Sequence, residues 1–138
     1  MTAIFLQDHA CVCALGDTAE AIRAGLWADA PSGVAPTDAH TPGRMLALGR
    51  VATPLPALDG LPHHERSRNN ALLLAALAPL RERVRAAAER FGPARVAVVL
   101  GVSTAGLDEG VAAIRQVHSG FGWPAHYDYA LQEMGNAA

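Results

Sequence analysis

The stretch Arg95–Leu100 constrains this chain most. Val96, Ala97, Val98, Val99 and Leu100 are consecutive apolar residues, closed in front by Gly92-Pro93 and behind by Gly101. Such a run without polar alternation reads as a strand buried on both faces, the pattern of a parallel sheet covered by helices. In the segment that follows, Leu107–His118, residues Leu107, Val111, Ile114 and Val117 share one side of a helix. Asp108 and Glu109 fall in its first turn, where the helix dipole favours acids. Strand, small-residue turn and helix make an α/β pattern.

The remaining elements extend that pattern. Thr2–Leu6 has the length and apolarity of a strand. Asp17 followed by Glu20 has capping-box spacing and opens a helix through Ala19, Ile22, Leu26 and Trp27, ending near Asp29 before Pro31 and Gly33. Pro31–Gly43 reads as a loop, Arg44–Val51 as a strand, and Ala52–Pro62 as extended chain. Asn69 and Asn70 begin a long helix that reaches Phe91. Pro79 kinks or splits it, because proline removes an amide and crowds the carbonyl four residues back. Gly120, Gly122 and Pro124 mark a loop, and Tyr129–Ala138 begins a further helix.

Composition narrows the function classes. With 138 residues, 51% of them hydrophobic, the chain fits one domain or a large part of one. A formal charge of −2 exerts no global pull on nucleic acid or an anionic membrane. All the basic side chains other than histidine are arginines. The first fifteen residues lack a basic n-region, and Gln7, Asp8 and His9 interrupt their apolar run, so neither a signal peptide nor a membrane span is expected. The cytoplasm is the expected location, and no cofactor is indicated.

Three readings compete for Gly101-Val102-Ser103-Thr104-Ala105-Gly106. A nucleophile elbow would use Ser103, but Ala105 stands where the second glycine belongs. A phosphate cradle at the helix start lacks a lysine, and Asp108 and Glu109 would repel the anion. A tight turn of small residues, permitting close backbone packing, leads among the three.

Cys11-x-Cys13, with His9 nearby, resembles a fragment of a metal site, but zinc needs about four ligands in separated pairs. The other histidines, His40, His63, His64, His118 and His126, have no such spacing, so no metal is expected and both cysteines read as packed small hydrophobes. His63-His64-Glu65-Arg66-Ser67-Arg68 reads as a solvated helix entrance or as a contact for an acidic partner. Trp123, Tyr127 and Tyr129 read as core or interface fillers.

Taken in order, several segments resemble the N-terminal portion of a β-ketoacyl-[acyl-carrier-protein] synthase. Cys13-Ala14-Leu15-Gly16-Asp17-Thr18, Ala24-Gly25-Leu26-Trp27 and Ser32-Gly33-Val34 are similar to that family's first turn, helix and following step. Arg66-Ser67-Arg68-Asn69-Asn70, opening an Ala- and Leu-rich helix, resembles its second long helix. The stretch from Arg95 to Leu107 resembles its strand and Gly-x-Ser-Thr-x-Gly turn, and Met134-Gly135-Asn136-Ala137-Ala138 the start of the helix that leads to the catalytic cysteine. The likeness spans nearly the whole chain and is most specific in the stretch from Arg95 to Leu107. The family commonly has a proline where Cys13 or Ala14 stands, and often Met-Asp in place of Asn69-Asn70. The Asn-Asn form is nearer to divergent, aryl-polyene-type members.

The resemblance implies the N-terminal part of a thiolase-like fold, with mostly parallel buried strands and flanking helices, ending before the catalytic cysteine. It implies decarboxylative Claisen condensation of acyl and malonyl carrier-protein thioesters, in fatty acid or polyketide and polyene biosynthesis. Acyl carrier protein and a second synthase subunit, identical or related, are the implied partners. Ser103, Thr104 and Ala105 are implied to line the acyl pocket, Arg66 and Arg68 to receive the carrier protein, and Tyr127 and Tyr129 to lie near the dimer partner. The resemblance places the nucleophilic cysteine and two histidines beyond this sequence, so no catalytic residue is assigned, and Cys11 and Cys13 are not the nucleophile. This portion alone is expected to be inactive. A noncatalytic dimerisation or carrier-binding module, and a small hydrolase using Ser103, are the alternatives.

Overall fold

A computed structural model describes residues 3–29, 33–101 and 107–128. It divides into two compact units: Met1–Pro54 with Ala76–Ala86, and Leu55–Ala75 with Ala87–Ala138.

The first unit is organised by a tight turn. Cys13 and Gly16 exchange both backbone hydrogen bonds, at 2.9 and 3.1 Å, with Ala14 and Leu15 between them. Helix α1 (Ala19–Leu26) follows, and its N-cap is Thr18, whose Oγ1 accepts from the Ala21 amide at 3.1 Å. Glu20 lies in its first turn, where a carboxylate meets the positive end of the dipole. The cap is therefore one residue later than the Asp17 spacing predicts.

Strands β1 (Val34–Thr37) and β2 (Leu46–Gly49) form an antiparallel pair, with Val34 opposite Gly49 and Thr37 opposite Leu46. Ala35, Thr37, Leu46 and Leu48 are half-buried while their neighbours are exposed, the period-two pattern of a sheet covered on one side. The loop between the strands is closed locally, the Thr41 hydroxyl donating to the Arg44 carbonyl at 2.8 Å. The pair begins inside the expected loop Pro31–Gly43 and ends inside the expected strand Arg44–Val51.

In the second unit, extended chain leads through a 3₁₀ turn, His63–Glu65, into helix α2 (Arg68–Leu77). The long helix is split as Pro79 predicts: α2 stops at Leu77, a 3₁₀ turn covers Ala78–Leu80, and α3 runs Arg81–Phe91, with Ala76–Ala86 of this stretch belonging to the first unit. Helix α4 (Leu107–His118) has the expected limits. The buried hydrophobic residues among those described are Ala71 and Leu73 of α2 and Ala113 of α4. Ser67, Asn70 and Gly110 are buried with them.

The expected parallel sheet is corrected by this architecture. The one sheet among the described residues is the two-stranded antiparallel pair, so the chain is a small mixed α/β structure rather than part of a thiolase-like fold. Arg95 belongs to a 3₁₀ turn, Pro93–Arg95, and residues 96–100 pair with no strand among the described residues. Val99 is 91% exposed, where burial on both faces was expected. The expected strand at the N-terminus is likewise absent over its described residues: Ile4, Phe5 and Leu6 are exposed and unpaired in any sheet. An apolar β-branched run fits a pleated surface, but it becomes a strand only where a neighbour takes its amides and carbonyls. Neither run has such a neighbour among the described residues.

Candidate functional site

The entrance to α2 holds the two arginines expected to receive an acidic partner. Ser67 caps the helix: its Oγ accepts from the Asn70 amide at 3.1 Å, and its carbonyl accepts from the Ala71 amide. Ser67 and Asn70 are both buried, and the Asn70 side chain donates from Nδ2 to the Glu65 carbonyl at 2.9 Å. Among the described residues, the Asn70 Oδ1 and Asn69 Nδ2 atoms are buried and have no hydrogen-bond partner. Glu109 of α4 completes the entrance, its Oε1 accepting from the Arg68 amide at 3.3 Å. The helix start is thus built by Ser67, Asn70 and Glu109, and Ser67 with Asn70 is a cap spacing readable in the sequence.

The two arginines have different roles in this geometry. Arg66 donates from Nε to the Leu61 carbonyl at 2.7 Å and from Nη2 to the Asp59 carbonyl at 2.8 Å. Its guanidinium therefore fastens the preceding turn while keeping its charge at the surface. Arg68 is exposed, and its backbone is fixed by the helix start. His64 adds a 3.6 Å contact to Glu65, which is an ion pair only when the imidazole is protonated.

A second feature adjoins this entrance. The His63 and His126 rings lie 3.8 Å apart between centroids, tilted by 43°. This contact ties the 3₁₀ turn before α2 to the turn that follows α4, where the Tyr127 amide donates to the Pro124 carbonyl. Tyr127 is half-buried and stacks on Trp123, with centroids 5.4 Å apart and planes 12° apart. Arg66, Arg68 and Tyr127 thus belong to one unit, linked through a histidine pair that no spacing rule pointed to. Ser103, Thr104, Ala105 and Tyr129 lie outside the described residues, as do the turn readings built on them.

The cysteines depart from the packing expected of them. Cys11 is exposed and Cys13 half-buried, so at least Cys11 is not a core filler. The Cys11 pKa is raised, first by shielding from water and then by the charge and hydrogen bonding of Cys13. Among the described residues no three His, Cys, Asp or Glu side chains converge as a metal centre, and no helix is long and apolar enough to cross a membrane.

Comparisons with protein-family models, curated proteins and solved structures found no match to this chain.

Proposed function

We propose that the chain is the N-terminal portion of a 3-oxoacyl-[acyl-carrier-protein] synthase, contributing pocket and docking surfaces to decarboxylative Claisen condensation. The observation that carries this reading is the amino-acid sequence from Arg95 to Leu107, whose Gly-x-Ser-Thr-x-Gly pattern resembles that family's and precedes α4. The exposure of Val99, flanked by the partly exposed Val98 and Leu100, supports it, because an exposed apolar run of this kind is a surface that further chain or a second subunit can cover.

In the proposed reaction a cysteine thiolate attacks the acyl thioester and releases the carrier-protein thiol. Malonyl carrier protein then loses carbon dioxide, and the resulting carbanion attacks the enzyme-bound thioester, forming the new carbon–carbon bond and freeing the cysteine. Donors aimed at the thioester oxyanion lower both barriers. The proposed roles within this chain are supporting ones: Ser103, Thr104 and Ala105 at the acyl pocket, and the α2 entrance facing the acidic carrier protein.

The test is the reading frame past the codon for Ala138, followed by assay of its whole product with acyl and malonyl carrier proteins. A Thr-Ala-Cys-type motif with two later histidines, and formation of a 3-oxoacyl carrier protein, are expected. Carrier-protein binding without condensation makes the chain a noncatalytic module. Labelling of Ser103 by a serine-reactive phosphonate, without condensation, makes it a hydrolase.

A further inference from the structure

The ring contact between His63 and His126 takes no part in capping α2. Both residues are exposed, yet their ring centroids are 3.8 Å apart. His63 stands on the 3₁₀ turn His63–Glu65, and His126 on the turn that the Tyr127 amide closes onto the Pro124 carbonyl at 3.0 Å. The Trp123 ring, stacked on Tyr127, lies beside that second turn. The bond from the Arg68 amide to Glu109 Oε1 joins α2 to α4 without using either histidine. The turn after α4 can therefore part from the turn before α2 while that bond stays made.

We propose that His63 and His126 are a proton-operated latch, closed while at most one ring is charged and open when both are protonated. Histidine is the side chain that changes charge in the physiological range. The face of a neutral ring is electron-rich and accepts either a neutral or a positively charged neighbour. Two imidazolium rings repel instead: like charges about 4 Å apart shift a closed-to-open ratio by about fivefold even with the screening of bulk water. The groups on the adjoining segments modulate this repulsion. On the first turn, His64 and Glu65 are 3.6 Å apart, and the Arg66 guanidinium is anchored on the Asp59 and Leu61 carbonyls, a fixed positive charge close in sequence to His63. Arg68 at the start of α2, with Arg115 and His118 in the last turn of α4, is of the same sign. Asp59, Asp108 and Asp128 are of the opposite sign, and Glu109 is engaged by the Arg68 amide. The protons that open the latch also add positive charge next to Arg66.

The test is the emission of Trp123 in a Trp27→Phe chain, where it is the sole tryptophan. Emission is followed from about pH 8 to about pH 5.5, the range in which histidine changes charge, with far-UV circular dichroism on the same samples. A change in emission with the helix signal held is expected. In that background His63→Gln and His126→Gln should each abolish the change, and His64→Gln should retain it. His126→Phe keeps a ring against His63 and removes the second charge, so its emission should stay that of the parent at pH 8 throughout. His126→Gln should instead resemble the parent at low pH. An emission change that survives in the His126→Gln or the His126→Phe chain would overturn the proposal. Constant emission in the Trp27→Phe parent would overturn it too, as would loss of the helix signal in step with the change. These outcomes need no carrier protein and no condensation, so they stand apart from the synthase reading.

Discussion

The Glu109 carboxylate accepts a hydrogen bond from the backbone amide of Arg68, joining the first turn of α4 to the first residue of α2 across 41 positions of sequence. The first amides of a helix have no partner inside it, and a carboxylate there also meets the positive end of the dipole. Ser67 serves the Asn70 amide, so Glu109 and Ser67 share the capping of α2. Glu109→Ala should lower unfolding stability by about 0.5–1.5 kcal/mol, the usual net worth of such a bond. Glu109→Gln keeps an acceptor and loses the charge, a loss of about 0.3–1 kcal/mol. Urea unfolding of the three chains should rank them in that order, and equal midpoints would mean that the contact contributes nothing.

Gly33 should be the least replaceable glycine near the β1–β2 pair. Its φ is +71°, and an added Cβ would lie 1.7 Å from the Ala14 carbonyl oxygen, inside the atom. Gly43 has a similar φ of +81° but open space around it. Gly43→Ala should therefore cost only the left-handed backbone penalty, about 1–2 kcal/mol. Gly33→Ala adds a clash with backbone that cannot rotate away and should cost about 3 kcal/mol or more. Thermal unfolding of both variants checks the difference, and equal losses would show that the turn at Ala14 moves aside.

What the sequence made legible follows from where the information sits. The limits of α4 and the break at Pro79 depend on local spacing and on one proline's missing amide, and both were readable. Thr18 rather than Asp17 caps α1 because adjacent residues with similar side-chain acceptors compete for one orphan amide, which spacing alone does not rank. The runs ending at Leu6 and Leu100 misled for another reason: hydrophobicity and branching describe what a strand buries, while pairing depends on residues far away. Within the site, the arginine patch was visible as composition. The histidine contact between His63 and His126 was not, since it spans two turns with no common period.

The two arginines at the α2 entrance should respond differently to removal. Arg66 already donates to the Asp59 and Leu61 carbonyls, so Arg66→Ala leaves those acceptors to water and loosens a turn. Arg68 makes its structural bond through the backbone, which Arg68→Ala retains. If the entrance receives an acidic carrier protein, Arg68→Ala should weaken binding with unchanged stability and a shallower salt dependence. Arg66→Ala should lower stability by about 1 kcal/mol as well as affinity. Titration calorimetry at two salt concentrations, beside unfolding curves, separates the two. Unchanged affinity in the double variant would remove the docking role from this surface.

Cys11 supplies a pH-dependent readout. Its pKa is raised, by shielding from water ahead of the charge and hydrogen bond of Cys13, so at neutral pH it carries less thiolate than an ordinary cysteine. Because the thiolate is the nucleophile, iodoacetamide should modify Cys11 slowly at pH 7, and the rate should climb to a plateau at a pH above that of an unperturbed thiol. Cys13→Ser takes away the neighbouring thiolate's repulsion but leaves the shielding. The midpoint of the rate profile should therefore fall part of the way back, and modification at pH 7 should quicken. Mass spectrometry of the Cys11 peptide over a pH series measures both effects. A profile that does not move in the Cys13→Ser chain would assign the whole shift to shielding and separate the two thiols electrostatically.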